Sequence, residues 1–288
     1  MEEKADIGDV YLNPRTDFGF KKIFLDKDLL IDFLNVIINE EARITDVEYR
    51  PSEMSGEWDT DRKAVFDLYC KNSNDEHFIV EMQRYRQTYF IDRSLFYASA
   101  AIRSQAPRGK WNYELKAVYF IAILDCVAFE EEEVRDTCIE RAFLYREQAR
   151  KRLSDRLSMI FVELPKFTKT AEELSTNTER WLFLLKNLER LNARPPEVRG
   201  EIFERLFRIA EIKKLTEREM EEYRTSIFEY DSVKDAIAYS SERALKKGYL
   251  EGQQDMIKQF LREGMSLELL SKYTGLTVEQ IEAISKSN

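Results

Sequence analysis

With 288 residues, 43% of them hydrophobic, the chain is long enough for one large domain with appendages or for two domains. The charged fraction of 34% is typical of long solvated helices rather than disorder, because aromatic residues also reach 12%. The net charge of −9 argues against nonspecific nucleic-acid binding, and no run of eighteen apolar residues is present to span a membrane. An acidic N-terminus without an apolar segment and three scattered cysteines predict a cytoplasmic protein with reduced thiols and no zinc site.

The first part of the chain mixes helix, strand and loop patterns. Residues 13–24 begin with turn-forming residues and then become apolar and basic. Apolar residues recur at helical spacing over residues 28–39, which predicts an amphipathic helix. Residues 44–49 predict a short strand, and the polar stretch 51–61 predicts a loop.

The middle of the chain predicts a sheet. Its segments are rich in β-branched and aromatic residues, and one of them, residues 115–124, is a continuous apolar run expected of a strand buried on both faces. This order of elements predicts an α/β (α+β) sandwich. The predicted strands are residues 63–71, 76–84, 115–124, 138–145 and 157–164, with a helix over 89–104 between the second and third.

Beyond about residue 175 the patterns become helical throughout. We therefore predict three parts: a core over residues 1–170, a helical region over 171–232, and a long helix with a small helical tail over 233–288. The predicted helices are residues 179–191, 196–214, 216–228 and 233–262, followed by two short helices within 266–286.

Two acidic residues lie on corresponding faces of the first two long strands. Side chains alternate faces along a strand, so Asp67 is predicted to share a face with Lys63. Glu81 and Gln83 likewise share the face opposite the apolar row of the second strand. The apolar row opposite Asp67 is Ala64, Phe66, Leu68 and Cys70.

Hairpin pairing would bring the two acids together. If Asn72 pairs with Glu76, the loop has three residues, a common hairpin class, and Asp67 lies directly opposite Glu81. Carboxylates with Cβ atoms about 5 Å apart repel, so one needs a raised pKa unless a cation lies between them. Mg²⁺ commonly takes one or two protein carboxylates with water and phosphate. We therefore expect Asp67 and Glu81 to bind Mg²⁺, with Mn²⁺ as the alternative ion.

Other side chains near this pair have candidate roles. Gln83 is expected to position the attacking water, and Lys63 to offset charge on the phosphate. Arg93 and Tyr97, four residues apart on one helix face, are candidates for contacting the phosphate or the carboxylates. His77 is a weaker candidate for a catalytic base. Each pattern also has a structural interpretation, since charged residues of amphipathic strands and helices usually lie on the solvated face.

Several short segments, taken together, resemble a known family. In chain order they are similar to the PD-(D/E)xK nuclease-superfamily transposases, the bacterial recombination-promoting nucleases or Rpn proteins. The resemblance covers roughly residues 9–125. The segments are Asn13-Pro14-Arg15-Thr16-Asp17-Phe18-Gly19-Phe20-Lys21-Lys22-Ile23-Phe24, Phe33-Leu34-Asn35, Phe66-Asp67, Val80-Glu81-Met82-Gln83, and Asp92-Arg93-Ser94 with Tyr97.

The resemblance implies a restriction-endonuclease-like core, a mixed sheet flanked by helices, and Mg²⁺-dependent cleavage of DNA that promotes recombination or transposition-like events. The superfamily's Asp and Glu fall on Asp67 and Glu81. Its usual lysine position holds Gln83, which leaves open whether Lys63 supplies the positive charge. The N-terminal motif includes Asp17 and Lys21, either as substrate contacts or as groups that hold the first helix against the sheet.

The C-terminal tail resembles a helix-turn-helix, but its second helix carries Glu279 and Glu282 and little positive charge. We therefore expect the C-terminal helices to serve packing or homo-oligomerisation rather than DNA contact. Two classes of function remain: a Mg²⁺-dependent DNA endonuclease, and a catalytically silent nuclease-fold protein that acts as an interaction or phage-defence module.

Overall fold

The computed structural model describes residues 9–39, 43–54, 63–107 and 109–286. Within these ranges the α-helices are α1 (Asp17–Phe24), α2 (Lys27–Ile38), α3 (Phe90–Arg103), α4 (Asn177–Asn187), α5 (Glu201–Ala210), α6 (Glu217–Arg262), α7 (Leu267–Thr274) and α8 (Val278–Lys286). The strands are β1 (Val47–Tyr49), β2 (Glu53–Met54), β3 (Ala64–Val65), β4 (Leu68–Asn72), β5 (His77–Gln83), β6 (Val118–Leu124), β7 (Ile139–Phe143), β8 (Tyr145–Arg146), β9 (Lys151–Arg152) and β10 (Leu157–Glu163).

Six of the strands form one mixed sheet in the order β1-β4-β5-β6-β10-β7. The central strands β5, β6 and β10 are parallel to one another, and the outer strands run antiparallel to their neighbours. The ribbons β2–β3 and β8–β9 are separate two-stranded sheets. A mixed sheet flanked by helices and followed by a helical C-terminal region is the predicted α/β (α+β) architecture, which is therefore confirmed.

The strand β6 lies at the centre of the core. All seven of its residues are buried, which confirms the prediction from its continuous apolar run. Tyr119, Ile121 and Ile123 pack in the larger apolar cluster, which includes residues of α1, α2, α4 and α5. Alternate residues of β6 pack in a second cluster with α3 on the other side of the sheet. The sheet thus separates two apolar layers, and α3 covers one of them.

The hairpin of β4 and β5 has the predicted register. Leu68 pairs with Val80, and the N–H of Asn72 donates to the carbonyl of Glu76 at 3.1 Å. The three-residue loop ends at Asp75, whose φ of 59° is the left-handed conformation that such loops use. If this register is continued beyond the pair of Leu68 and Val80, Asp67 lies opposite Glu81.

The predicted strand over residues 63–71 is wrong in one respect, because it is two strands separated by a bend. β3 pairs with β2, and β4 pairs with β5. The N–H of Phe66 donates to the carbonyl of Ser52 at 2.6 Å, which draws the chain away from β5. As a result Phe66 packs in the layer with α3, whereas Leu68 packs in the opposite layer. The expected single apolar row across this segment does not exist.

The N-terminal motif forms a capped helix, α1, which was not predicted from the turn-forming start and the apolar, basic continuation of residues 13–24. Thr16 caps it, since its hydroxyl oxygen accepts the N–H of Gly19 at 3.1 Å and its O–H donates to the carbonyl of Asn13 at 2.8 Å. A Cβ atom at Gly19 would lie 2.0 Å from that Asn13 oxygen. Only glycine fits at this position, because the backbone of the preceding turn passes directly against it.

Two helical predictions in the second half need correction. The helix expected over residues 196–214 is reduced to α5, because Gly200 has a φ of 113° before it and Glu211 is extended after it. The helices expected over 216–228 and 233–262 are a single helix, α6. Residues 229–232 contain neither Gly nor Pro to end it.

The chain divides into two compact units, Met1–Tyr230 and Asp231–Asn288. In the second unit Ile257, Leu270 and Ile281 form a small buried core. A capping box begins its last helix: the N–H of Thr277 donates to Oε1 of Gln280 at 2.8 Å, and the N–H of Gln280 donates to Oγ1 of Thr277 at 3.3 Å. The boundaries predicted at residues 170 and 232 stay predictions. None of the helices in the described ranges combines the length and apolar character needed to cross a bilayer.

Candidate metal and phosphate site

Asp67 and Glu81 lie at the end of the β4–β5 hairpin that is farthest from its turn. Asp67 immediately precedes β4, and Glu81 is the fifth residue of β5. The backbone N–H of Asp67 donates to Oε1 of Glu81 at 3.0 Å, and the N–H of Met82 donates to Oδ2 of Asp67 at 2.7 Å. Each carboxylate is therefore anchored by a backbone N–H of the neighbouring segment, and the two acids are brought together.

The ladder pattern explains how a carboxylate enters this position. Hydrogen-bonded and non-hydrogen-bonded pairs alternate along an antiparallel hairpin, and the pair at Asn72 is hydrogen-bonded. Continued to the other end, this alternation would place the Phe66 carbonyl against the N–H of Met82. Because the chain bends away at Phe66, the carboxylate of Asp67 accepts that N–H instead. The bend thus exchanges a backbone acceptor for an ionisable one.

Burial raises the pKa of both acids of this pair. Glu81 is only 6% exposed, and its burial, followed by the nearby charge of Asp67, raises its pKa to about 8. The N–H of Asp67 and the guanidinium of Arg93 act in the opposite direction. Burial is also the main reason that the pKa of Asp67 is raised. Without a cation, the site therefore opposes the ionisation of both acids.

Asp17 and Lys21 belong to the surroundings of Asp67. Their side chains form an ion pair along α1, with Lys21 Nζ 2.9 Å from Asp17 Oδ1. The charge of Asp17 raises the pKa of Asp67, whereas the charge of Lys21 lowers it. Both residues also line an open cleft of about 860 Å³ formed by residues of α1 and α6. The structure therefore places both motif residues within electrostatic range of the acid pair.

Gln83 and Arg93 are joined by a hydrogen bond. Gln83 lies two residues beyond Glu81 on β5 and is 5% exposed. Arg93, in the first turns of α3, donates from Nη2 to Oε1 of Gln83. Tyr97 lies on the same face of α3, where the Arg93 guanidinium is 5.8 Å from its ring centroid. Helix α3 therefore brings Arg93 to the strand that carries Glu81, whereas the Tyr97 ring packs against Phe66.

Lys63 is placed differently from the other candidates. Its ammonium pairs with Glu53 on the β2–β3 ribbon, and its side chain is 56% exposed. The bend after Phe66 also breaks the strand alternation from which a face shared with Asp67 was expected. The structure does not bring Lys63 into contact with the acid pair among the described residues.

A second cluster of charges at this end of the sheet was missed by sequence reasoning. The buried Arg15 donates from Nη1 to Oδ1 of Asp125 at 3.2 Å and from Nη2 to Glu189. Tyr230 donates its O–H to the other Asp125 oxygen at 2.6 Å. One signal was present, since Asp125 directly follows the buried strand β6, and the ends of parallel strands commonly carry functional groups. Its partners come from distant parts of the chain, which no local pattern reveals.

His77, the single histidine, does not belong to the site. It begins β5, four residues before Glu81, and its Nδ1 lies 2.5 Å from the hydroxyl oxygen of Tyr69. Burial lowers its pKa to about 4. A buried, neutral imidazole engaged with a tyrosine is a structural group, so the minor candidacy of His77 as a base receives no support.

The donor set fits a hard divalent cation bound in part by its substrate. No group of three or more His, Cys, Asp or Glu side chains arranged for a metal occurs in the part of the chain that the structure describes. Zinc sites need three or four protein ligands. Mg²⁺ is usually bound by one or two carboxylates with water and substrate phosphates. The buried carboxylate of Glu81 and the half-buried carboxylate of Asp67 match the second description.

Comparison with known proteins identifies the family of the chain. A family model described as PD-(D/E)XK nuclease family transposase matches residues 14–239, which include both acids, Gln83, Arg93 and all of the N-terminal motif except Asn13. No curated protein matches the chain, and no solved structure does. The resemblance drawn from the sequence motifs is therefore confirmed at the level of the family.

Proposed function

Because the chain belongs to the PD-(D/E)XK nuclease family transposases, we propose that it is a divalent-metal-dependent endonuclease that hydrolyses phosphodiester bonds of DNA. One observation carries the proposal. Asp67 and Glu81 are held side by side by reciprocal backbone hydrogen bonds, in surroundings that raise the pKa of both. A protein rarely keeps two such acids together unless a cation or a reaction requires them.

In this proposal the carboxylates of Asp67 and Glu81 hold the metal, with Mg²⁺ as the expected ion and Mn²⁺ as the alternative. When bound, the ion supplies a water of lowered pKa and offsets negative charge on the phosphate. The protein keeps the two carboxylates in fixed orientations, because the N–H groups of Asp67 and Met82 each occupy one carboxylate oxygen. Preorganised ligands need no rearrangement when the ion and the substrate arrive.

The neighbouring side chains complete the proposed site. Gln83 borders Glu81 and is the predicted water-positioning group, and Arg93 with Tyr97 faces the scissile phosphate. Asp17 and Lys21 influence the charge of Asp67 from α1. Lys63 is a weaker candidate, since its ammonium is engaged with Glu53.

Plasmid nicking in Mg²⁺ compared with EDTA tests the proposal. We expect wild-type nicking in Mg²⁺ only, and a loss of about a hundredfold or more in Asp67→Ala and Glu81→Ala, as for removal of one transition-state-stabilising group. Glu48→Ala is the matched control, because Glu48 lies on the same sheet with a side chain that is 67% exposed. Circular dichroism verifies that each variant is folded. Nicking that survives both substitutions at the wild-type rate would remove this pair from consideration.

We also propose that cleavage serves recombination or transposition-like rearrangement of DNA, as the family description implies. A recombination assay in cells that compares the wild-type gene with Glu81→Ala tests this role. Equal recombination frequencies for the two genes would reject it, whatever the result of the nicking assay.

The second candidate function is a catalytically silent nuclease fold that serves as an interaction or phage-defence module. It is favoured by Gln83 at the position where a lysine is usual in the superfamily, and by the net charge of −9. Both functions allow DNA binding, but only the endonuclease predicts a metal-dependent product. Absence of nicking with Mg²⁺ or Mn²⁺, in a protein that still binds DNA, would favour the silent module.

Self-association through the C-terminal helices is a further part of the proposal. Leu245 and Tyr249, four residues apart on α6, have exposed fractions of 77% and 69%. Exposed apolar residues on one helix face are typical of a contact surface. Light scattering on wild type and Leu245→Glu should show an oligomer that dissociates in the variant, and a monomeric wild type would end this part.

A further inference from the structure

Arg93 is held by neutral partners. Its Nη2 donates to Oε1 of Gln83, and its Nη1 donates to Oε1 of Gln87 at 2.7 Å. Among the described residues, no Asp or Glu forms an ion pair with its guanidinium. Glutamine oxygens can fix the direction of a guanidinium but cannot neutralise its charge. The full positive charge of Arg93 therefore remains available to an anionic ligand.

Two aromatic rings also restrict the guanidinium. Its central carbon lies 5.4 Å from the ring centroid of Phe90 and 5.8 Å from that of Tyr97, which are the neighbours three residues before it and four residues after it on α3. Cation–π contacts of this kind orient an arginine without consuming its hydrogen-bond donors. The position and direction of the guanidinium are thus restrained by four side chains, those of Gln83, Gln87, Phe90 and Tyr97.

The arrangement points toward the acid pair. Arg93 is bonded to Gln83, which lies two residues after Glu81 on β5 and therefore on the same face of that strand. Asp67 and Glu81 would hold the ion, and Arg93 would supply a positive charge to a phosphate bound at the same site. Hydrolysis of a phosphodiester increases the negative charge on the phosphoryl oxygens, and a fixed cation there stabilises the transition state more than the ground state.

Both the nitrogen and the oxygen of the Gln83 side-chain amide form hydrogen bonds. Its Nε2 donates to the carbonyl of Tyr85 at 2.5 Å, and its Oε1 accepts from Arg93. A carbonyl only accepts and a guanidinium only donates, so the amide can adopt just one orientation between them. This residue therefore connects the backbone beyond β5 to the cation on α3.

We propose that Arg93 is the catalytic cation of this site, contacting a non-bridging oxygen of the scissile phosphate, and that Gln83 and Gln87 are positioning residues that act through it. The inference rests on the proposed endonuclease function and goes beyond it in assigning the charge to α3 rather than to Lys63. It also gives Gln83 a role different from direct contact with the attacking water.

The first test is a double-mutant cycle on nicking at saturating DNA. Arg93→Gln should lower kcat by about a hundredfold, the size of effect seen when one donor to a developing oxyanion is removed. Gln83→Ala should lower kcat by about tenfold in the wild-type background and have little further effect when Arg93 is already Gln, because residues that act as a unit are not additive. Arg103→Gln, the same substitution at an exposed position of the same helix, is the matched control.

The second test places the positive charge on β5 instead of on α3. Gln83→Lys combined with Arg93→Gln returns a cation to the same space from the strand side and should recover a large part of the activity lost in Arg93→Gln alone. A merely structural role of Arg93 would not be repaired by a lysine ten residues away. Recovery supports the proposal, and double-variant activity no higher than that of Arg93→Gln contradicts it.

The third test needs neither metal nor cleavage. DNA binding is measured by fluorescence anisotropy in EDTA over a range of salt concentrations, where each lost phosphate contact reduces the slope of log K against log salt by roughly one. Arg93→Gln should show this reduction and Arg103→Gln should not. An unchanged slope with wild-type kcat in Arg93→Gln would overturn the inference while Asp67→Ala remains inactive and the endonuclease stands. Full activity of Asp67→Ala and Glu81→Ala would instead reject the endonuclease site itself.

Discussion

Two groups of buried charges lie at the same end of the sheet, and they are built in opposite ways. The N–H of Asp125 donates to the carbonyl of Gln83, so the group around Arg15 begins where β5 and β6 end together. There, Arg15 contacts both Asp125 and Glu189 directly. Asp67 and Glu81 have no such cation in contact among the described residues, and they accept backbone N–H groups instead.

We attribute the difference to two roles: the Arg15 cluster stabilises the fold, and the acid pair is the proposed metal site. In the Arg15 cluster the protein supplies its own counter-charge, because the distant segments that carry Arg15, Asp125 and Glu189 meet in the fold. At the acid pair the counter-charge is incomplete, since Arg93 acts from α3 while it is bonded to Gln83. An incomplete set of charges is what a metal and a phosphate together would complete.

The largest stability effect is expected on the Arg15 side. Replacing Arg15 with Met leaves the half-buried Asp125 without its cation and Glu189 with only Arg190, at 3.5 Å. We therefore expect a loss of about 3–5 kcal/mol in the free energy of unfolding, measured by urea denaturation. Arg205→Met is the control, because Arg205 also pairs with two carboxylates, Asp26 and Asp28, but its side chain is 46% exposed. A loss for Arg15→Met no greater than that for Arg205→Met would show that the cluster is not structural.

The acid pair should respond with the opposite sign. In EDTA at pH 8, Glu81→Gln should raise the free energy of unfolding by about 1–3 kcal/mol, because it removes a buried carboxylate that has no counter-ion. The same variant should lose nicking activity. Glu48→Gln, on the exposed part of the sheet, should change neither quantity. Destabilisation by Glu81→Gln would mean that the carboxylate serves the fold.

The dependence of that gain on pH follows from the raised pKa of Glu81. The unfolded carboxyl has a pKa near 4.5 and the folded one about 8, so the folded state binds the proton more tightly. Stability that is fully present below pH 4.5 is therefore lost as pH rises toward 8. The difference between Glu81→Gln and wild type should grow across this window in EDTA and shrink when Mg²⁺ is added. A difference that stays constant with pH would show that ionisation of the buried Glu81 carboxyl is not its cause.

The smallest effect on stability is expected at His77, a buried titratable residue that lies outside the proposed site. Burial lowers the pKa of His77 to about 4 from its ordinary 6.5, so stability is lost as pH falls from 6.5 toward 4, the reverse of the slope at Glu81. Since His77 is the single histidine, its imidazole resonance in an NMR titration reports this pKa directly. A measured value near 6.5 would show that the pocket is open to water.

Local sequence patterns predicted the β4–β5 hairpin and its register but not the bend at Phe66. The alternation along residues 68–72 and 77–83 and the short loop between them determine the register, and through it the pairing of Asp67 with Glu81. The bend at Phe66 depends on a hydrogen bond to Ser52, which belongs to another ribbon. Strand periodicity contains no information about that contact, and so Lys63 was assigned to the wrong face.

The same limit applies to the cations. Arg93 was a candidate because its spacing to Tyr97 places both on one helix face, but its bonds to Gln83 and Gln87 depend on how α3 crosses the sheet. Arg15 stood within a recognisable motif, and its partners Asp125 and Glu189 are more than a hundred residues away. The charged partners of buried residues are therefore identified only from the tertiary structure, whereas the acidic pair Asp67 and Glu81 can be predicted from the sequence.

Diffraction from crystals soaked in Mn²⁺, with anomalous scattering used to locate the ion, tests the central claim most directly. We expect one strong anomalous peak per chain, at about 2.1 Å from a carboxylate oxygen of Asp67 and from one of Glu81. The peak should disappear in crystals of Glu81→Gln. A peak that contacts neither residue would contradict the assignment of this pair as the metal site. So would Mn²⁺ bound elsewhere in the crystal while the carboxylates of Asp67 and Glu81 accept only backbone N–H groups.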